Sequence, residues 1–200
     1  MGQAPLTVQT IAVIGAGGAG RGIALAAAIG GYRTILEDLL PNALRRAESE
    51  FRIYLDAAGK QGKIPRDTAD TALSSLEFAG SVEDAARAAD LVIEAVPEEM
   101  ESKIEIFTLL DKICRPGTIL VSSTLSFSIT EIARVTYRPQ NCLGMRFAEP
   151  VGEERRIEVV RGLETGDDTL AAGVEVGRRM GKEVVIIKES PTLSPAAFTR

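Results

Sequence analysis

The chain contains no histidine. That absence excludes imidazole metal ligands and removes the side chain most often used as a general base. Cysteine is nearly as scarce. Cys114 and Cys142 stand far apart with no C-x-x-C spacing, so two reduced, buried thiols in a cytoplasmic protein are expected, and no metal site. No apolar run approaches the ~20 residues a membrane span needs. The N-terminus has neither the basic nor the apolar region of a secretory signal, and Leu6 stands where a myristoylation signal requires Ser or Thr. Positive charge is in deficit: the formal net charge is −5 and the sequence pI about 5.0. A nucleic-acid or anionic-membrane partner is therefore not expected.

What the chain does have is concentrated in residues 11 to 22, Ile-Ala-Val-Ile-Gly-Ala-Gly-Gly-Ala-Gly-Arg-Gly. Ile11 to Ile14 is short and rich in β-branched residues, which reads as a buried parallel strand. Gly15, Gly17 and Gly20 follow at G-x-G-x-x-G spacing. The first glycine permits a tight turn, the second lets a pyrophosphate touch backbone, and the third lets helix and strand pack closely. Gly18 and Ala19 complete the turn, and the helix start offers free N–H groups and partial positive charge to phosphates. Alone, such a turn also suits a plain β-to-α connection or a methyl-donor site. The context narrows it. Gly30-Gly31 closes the helix, Arg33 to Leu36 reads as a second strand, and Glu37-Asp38 sits at its end. Asp38 lies 18 residues past Gly20, where an acid accepts hydrogen bonds from adenosine ribose hydroxyls and repels a 2′-phosphate. NAD is thus favoured over NADP.

Two hundred residues suffice for a substantial core without disulfides or metals. A long helix is expected over Leu39 to Ala58, a basic loop over 59–63 and a shorter helix from Arg66 to Leu73, making a helical hairpin insertion. Lys60 and Lys63 read as solvated loop lysines, with contact to ligand phosphates as the alternative. Further units follow: a strand over Leu76 to Ala79, a helix over Val82 to Ala89 and a strand over Asp90 to Val96. A helix over Glu99 to Ile113 and a strand over Thr118 to Ser122 come next. Beyond Ser123 the sequence predicts a helix over Ile129 to Val135 and strands near 143–147, 157–161 and 183–188. A helix over Asp168 to Met180 separates the last two. Strands alternating with helices give an α/β fold of Rossmann type, doubly wound around a mostly parallel sheet, with ligand at the strands' C-terminal ends. Residues 1–190 are expected to form one dinucleotide-binding domain and 191–200 a tail.

Several ordered segments resemble the N-terminal domain of the 3-hydroxyacyl-CoA dehydrogenase family, NAD enzymes of β-oxidation and butyrate-type pathways. They are Val13-Ile14-Gly15-Ala16-Gly17 through Gly22-Ile23-Ala24, Leu36-Glu37-Asp38, Glu94-Ala95-Val96-Pro97-Glu98 with Lys103, Ser126 through Ala133, and Gly144-Met145-Arg146-Phe147 leading to Ile157-Glu158-Val159-Val160. The resemblance implies NAD as cofactor, with Gly15 to Gly20 on the pyrophosphate and Asp38 on the ribose. It places Ala95, Val96 and Pro97 along the cofactor, and Glu98 and Lys103 on the nicotinamide side. From spacing alone, Glu98 and Lys103 are equally a structural pair at a helix start.

The catalytic half departs from the pattern. The family's His-Phe-Phe-Asn-Pro stands here as Arg146-Phe147-Ala148-Glu149-Pro150. The base position thus holds Arg146, which stays protonated across the working pH range and cannot be that base. The supporting glutamate persists as Glu158, 12 residues on, and is expected to pair with Arg146. The family's Ser-Asn-Thr-Ser-Ser stands as Ser122-Ser123-Thr124-Leu125-Ser126, with Leu125 at the substrate-orienting serine and Ser123 and Ser126 as neighbours able to substitute in part. The family positions for catalysis are therefore Arg146, Glu158 and Ser123. The family's second, all-helical domain is expected to be absent, since its Pro-Gly-Phe opening is replaced by Pro191-Thr192-Leu193. An acyl-CoA-type substrate and an oligomer are compatible with the chain. The expected function is the NAD-binding domain of a 3-hydroxyacyl-CoA dehydrogenase, impaired here. The alternatives are a non-catalytic NAD-binding module or sensor, or an oxidoreductase whose substrate carboxylate is gripped by Arg146.

Overall fold

The computed structural model describes residues 7–148, 151 and 155–189. Glu149, the expected tail over 191–200 and most of the polar lead-in lie outside the described residues.

Strand β1 (Thr10–Ile14) is buried along its whole length, and its β-branched side chains suit a site covered on both faces. Helix α1 (Gly18–Ile29) carries it to β2 (Arg33–Glu37), which pairs with it in parallel. Strand β2 extends one residue beyond expectation and so includes Glu37. Helices α2 (Pro41–Lys60) and α3 (Arg66–Ser74) form the hairpin insertion before β3 (Leu76–Ala79). The chain then returns to the other side of β1 through α4 (Val82–Ala86) and β4 (Leu91–Glu94). Helix α5 (Met100–Ile113), β5 (Ile119–Ser122), α6 (Ile129–Ala133) and β6 (Cys142–Phe147) extend the parallel array. Strand β7 (Arg156–Arg161) runs antiparallel to β6, and α7 (Asp167–Arg179) leads to β8 (Glu183–Lys188), parallel to β7. The sheet order is β3-β2-β1-β4-β5-β6-β7-β8. This is the Rossmann-type doubly wound arrangement, with the strand order reversing at β1 and β4 and a crevice outside their C-terminal ends.

Two apolar clusters cover the sheet. One gathers Val13, Ile23, Leu36, Phe51 and Met145 with α1, α2 and α7; the other gathers Ala12, Ile14, Ile35, Phe107 and Leu120 with α4, α5 and α6. The alternation of Val13 and Ile14 between clusters is the period-2 pattern of a strand buried on both faces.

The hairpin differs from expectation at one point. Gly59 and Lys60 continue α2 rather than opening a loop. A Cβ on Gly59 would stand 3.3 Å from Arg66 Cδ and 3.5 Å from Ala69 Cβ. The missing side chain lets α3 close onto α2, and the turn falls at Gly62, whose φ is +68°. Lys60 pairs with Asp56 at 2.7 Å on the exposed face of α2, the ordinary surface pairing of residues four apart.

The bend after β1 is held by two glycines. Gly15 has φ +104°, and a Cβ there would meet the Ala95 carbonyl at 2.8 Å. A Cβ on Gly20 would lie 1.8 Å from the Gly15 carbonyl oxygen, so α1 sits against the bend only because that atom is absent. We expect Gly20→Ala to cost about 3 kcal/mol, lowering the thermal midpoint by roughly 10 °C. Gly17→Ala, at a position with nothing within 4 Å of an added Cβ, is expected to stay within about 0.5 kcal/mol of the unaltered chain in the same thermal unfolding measurement.

Candidate active site

A cavity of about 700 Å³ lies along the C-terminal ends of β2, β1, β4, β5 and β6. Four strand-to-strand steps of about 4.8 Å give it a span near 19 Å. At one end are Glu37, Asp38, Leu39 and Val82; at the other are Glu98, Ser123, Leu125 and Phe147. Between them lie Gly15, Gly17, Gly18 and Ala19 on one side and Ala95, Val96 and Pro97 on the other. Residues far apart in sequence are thus brought to one trough by the parallel topology.

The middle of the trough suits a diphosphate. Helix α1 begins at Gly17 with no side-chain cap and no acidic residue in its first turn, so its leading N–H groups keep free hydrogen-bonding capacity. Open space beside Gly17 allows a ligand to approach the backbone there. Arg21 does not enter the trough: it donates to the Ala16 carbonyl at 2.8 Å and pairs with Glu50 at 2.9 Å, clamping the bend to α2. Among the described residues the lining contains no lysine or arginine, so the helix end is what they offer as positive potential to an anion.

Asp38 is positioned before any ligand arrives. Its Oδ2 accepts from the Ala16 N–H at 2.9 Å and its Oδ1 from the Leu40 N–H at 2.8 Å. Each oxygen keeps a lone pair for an outside donor. Glu37, which sequence reasoning left unassigned, lines the same cavity at 2% exposure, and its Oε1 has no hydrogen-bond partner. Burial, and then the neighbouring Asp38 charge, push its carboxyl up to about 7. The signal was present in the alternation of β2, where Glu37 falls on the inward face two residues after Ile35.

At the far end a polar network holds the loops after β4 and β5. Lys103, fully buried on α5, pairs with Glu94 at 2.9 Å and Glu98 at 3.3 Å. Glu94 also accepts from Ser122 Oγ at 2.6 Å and the Val96 N–H at 2.9 Å. Glu98 Oε1 accepts from Thr124 Oγ1 at 2.6 Å, Ser126 Oγ at 2.9 Å and the N–H groups of Leu125 and Ser126. Burial alone would raise the Glu98 pKa, but the bonds from Thr124 and Ser126 and the Lys103 charge outweigh it and hold it below the ordinary value. Lys103 therefore does not face the cavity as the resemblance had implied. It lies behind the wall and positions Glu98, because an ammonium so deeply buried requires paired carboxylates.

The three family positions for catalysis stand on β6, on β7 and just after β5. Ser123 and Leu125 line the cavity, while Arg146 and Glu158 are not among its lining residues. Those two are register partners on β6 and β7, with Arg146 Nη1 3.7 Å from Glu158 Oε2. Glu158 is shared with Arg156 at 3.1 Å, and the buried Arg146 Nε has no partner. The expected pairing exists, but loosely. Both cysteines are buried, which pushes their thiols up to about 11. Among the described residues no cluster of carboxylates and thiols forms a metal site, and no helix is long and apolar enough to cross a membrane.

Two stability measurements follow from these groups. Lys103→Met, which leaves two carboxylates without their cation, is expected to cost about 3–5 kcal/mol in denaturant unfolding. Most of that loss should be recovered in Lys103→Met/Glu94→Gln. The second concerns Glu37. Its pKa in the folded chain lies above the ordinary glutamate value of 4.5 at about 7, so the folded state holds the proton more tightly and stability falls as pH rises between those values. With no histidine present, Glu37 should dominate that window. The thermal midpoint is expected to be lower at pH 8 than at pH 5, by the equivalent of roughly 3 kcal/mol at most. Glu37→Gln should abolish most of the difference.

Comparison with known proteins agrees with this geometry. The family described as 3-hydroxyacyl-CoA dehydrogenase, NAD binding domain, matches residues 10–190. A probable 3-hydroxybutyryl-CoA dehydrogenase of Bacillus subtilis (strain 168) is 37% identical over 186 residues, covering 93% of this chain and 64% of the relative. The 3-hydroxyadipyl-CoA dehydrogenase of Escherichia coli (strain K12) is 36% identical, over 93% of this chain and 39% of its own length. The crystal structure of 3-hydroxybutyryl-CoA dehydrogenase from Escherichia coli K12 superposes with a TM-score of 0.87 at 36% identity, covering 92% of this chain and 39% of that one. The chain therefore spans less than two thirds of the length of these relatives, and the part it spans is the one that carries the trough. It belongs to the 3-hydroxyacyl-CoA dehydrogenase family, of which it comprises the NAD-binding domain.

Proposed function

We propose that the chain serves hydride transfer between NAD and the 3-hydroxyl or 3-keto group of an acyl-CoA, with the proton-handling side of the site altered. The observation that carries this reading is the trough, running from Asp38 past the uncapped start of α1 to Glu98 and Ser123. Gly15, Gly17, Gly18, Ala19 and Gly20 would hold the pyrophosphate on backbone N–H groups. Asp38 would take the ribose hydroxyls, and its charge would reject a 2′-phosphate. Ala95, Val96 and Pro97 would form the apolar wall toward the reacting end, with Glu98 fixed there by Lys103. NAD, when bound, supplies the hydride acceptor or, reduced, the donor. Residues 1–190 act as one dinucleotide-binding domain in this reading.

What the chain's own side chains do at the reacting end differs from the usual arrangement. Arg146 keeps its proton and can orient or polarise an oxygen, but it cannot accept the hydroxyl proton. Leu125, 58% exposed, presents a methyl-bearing surface where a hydroxyl would orient substrate. Ser123 is the hydroxyl that remains in the cavity wall, and the Ser126 hydroxyl is engaged by Glu98. Loss of a positioned base costs about 10²- to 10⁴-fold. A second reading draws on the unpartnered Arg146 Nε and the long 3.7 Å contact to Glu158: guanidinium donors left over in this way fit a substrate carboxylate.

Calorimetric titration with NAD and NADP tests the cofactor half. Asp38→Ala is expected to weaken NAD by about tenfold and to narrow its advantage over NADP; unchanged affinity for both would remove Asp38 from the ribose. NADH oxidation with acetoacetyl-CoA tests the other half. Turnover should be slow or absent, and Arg146→His with Leu125→Ser should raise it by about 10²-fold. Rapid turnover by the unaltered chain would refute the altered-site reading, and NAD binding with no turnover in either protein would favour a binding module.

A further inference from the structure

The end of the trough at Asp38 holds the Glu37 carboxyl, which the Gly15 N–H reaches but which keeps one oxygen unpaired. Glu37 is 2% exposed and its Oε1 is buried without a hydrogen-bond partner. Across the sheet its register partners are Ile14 on β1 and Ala79 on β3, both apolar. Val82 at the start of α4, Val96 after β4 and Ile106 on α5 pack on the same side of the sheet as Ile14 and also line the cavity. The result is an apolar slot with one carboxyl in its wall. Among the described residues no lysine or arginine lines the cavity to satisfy that carboxyl. An unsatisfied buried acceptor is costly, and a ligand donor placed beside it removes the cost.

Glu37 and Asp38 are consecutive at the end of an extended strand, so their side chains leave on opposite sides. They therefore meet different parts of one ligand. With Asp38 on the ribose, the part entering the slot beside Glu37 is the base. The donor that an adenine ring carries on its edge is its exocyclic amino group. We infer that Glu37 reads the base of the bound dinucleotide, its free Oε1 accepting a hydrogen bond from the adenine amino group, so that the chain selects adenine over a base that presents a carbonyl at that position. The inference rests on the dinucleotide reading of the trough and adds a residue that specifies which base the trough takes.

Nicotinamide hypoxanthine dinucleotide, which replaces the amino group by a carbonyl oxygen, is the direct probe. Calorimetry at pH 8.5, where Glu37 is ionised and the Asp38 charge is beside it, should show NAD bound about tenfold or more tighter than the hypoxanthine dinucleotide. Glu37→Leu should bring the two affinities together by weakening NAD. Glu37→Gln, close in shape and offering a donor as well as an acceptor, should bring them together from the other side, by tightening the hypoxanthine dinucleotide. Equal affinities in the unaltered chain, or a preference for NAD that survives in both variants, would overturn the role of Glu37 while leaving NAD binding in place. Failure of the unaltered chain to bind either dinucleotide would overturn the reading of the trough itself.

Discussion

The contact on which the rest depends is the approach of α1 to the bend after β1. Gly20 stands so close to the Gly15 carbonyl that a single added carbon would overlap it. Gly15 in turn turns the chain at positive φ beneath the Ala95 carbonyl and donates its N–H to the Glu37 carbonyl at 2.9 Å. The Ala95 N–H donates to Ile14 at 2.8 Å. One bend therefore ties three strand ends together, with the helix start placed above them. Had α1 stood a few ångströms further out, its first N–H groups would open on solvent rather than on the trough, and the crevice between β1 and β4 would lose its floor.

The electrostatics of the trough follow from that placement. Among the described residues its lining has three carboxyl groups, on Glu37, Asp38 and Glu98, and no cation, so a diphosphate bound there would rest on backbone dipoles in the middle of an acidic frame. Nearby cations are occupied elsewhere: Arg21 with the Ala16 carbonyl and Glu50, Lys103 with Glu94 and Glu98. This division separates roles. In the proposed reading, backbone serves the phosphates, while the carboxylates at the two ends accept from the hydroxyl and amino donors that flank them. Extra negative charge on the ribose has no partner in such a frame.

The Glu98 end of the trough is built on a polar scaffold. The Glu94–Lys103–Glu98 network is complete, each carboxylate accepting several donors, and it holds the loops after β4 and β5 in register. Across from it, Arg146 and Glu158 face each other on adjacent antiparallel strands. The sheet still presents the two positions side by side, because β6 and β7 pair through their backbones whatever the side chains are. The guanidinium of Arg146 sits there with its buried Nε lacking a hydrogen-bond partner.

The sequence alone determined the strand, glycine bend, helix, strand and acid at the front of the chain, since each rests on local backbone requirements. β-Branched residues favour the strand, glycine the bend, alanine the close-packed helix and Asp38 the end of β2. It also determined that no imidazole serves here, because composition suffices for that. Tertiary structure decided the rest, through contacts between residues distant in the chain. Gly59 looked like a helix end and is a packing surface for α3, because the reason for its lack of a side chain lies ten residues further on at Ala69. Lys103 could be read from spacing as a ligand-side residue or as a structural pair of Glu98, and it is enclosed as that pair because α5 packs against β4. Glu37 looked like the neighbour of the functional acid. It is an unpaired acceptor in an apolar slot because Ile14, Ala79 and Val82 close around it from three other elements. Propensity and spacing act over a few residues, whereas enclosure, charge pairing and unpaired acceptors exist only once distant elements have met.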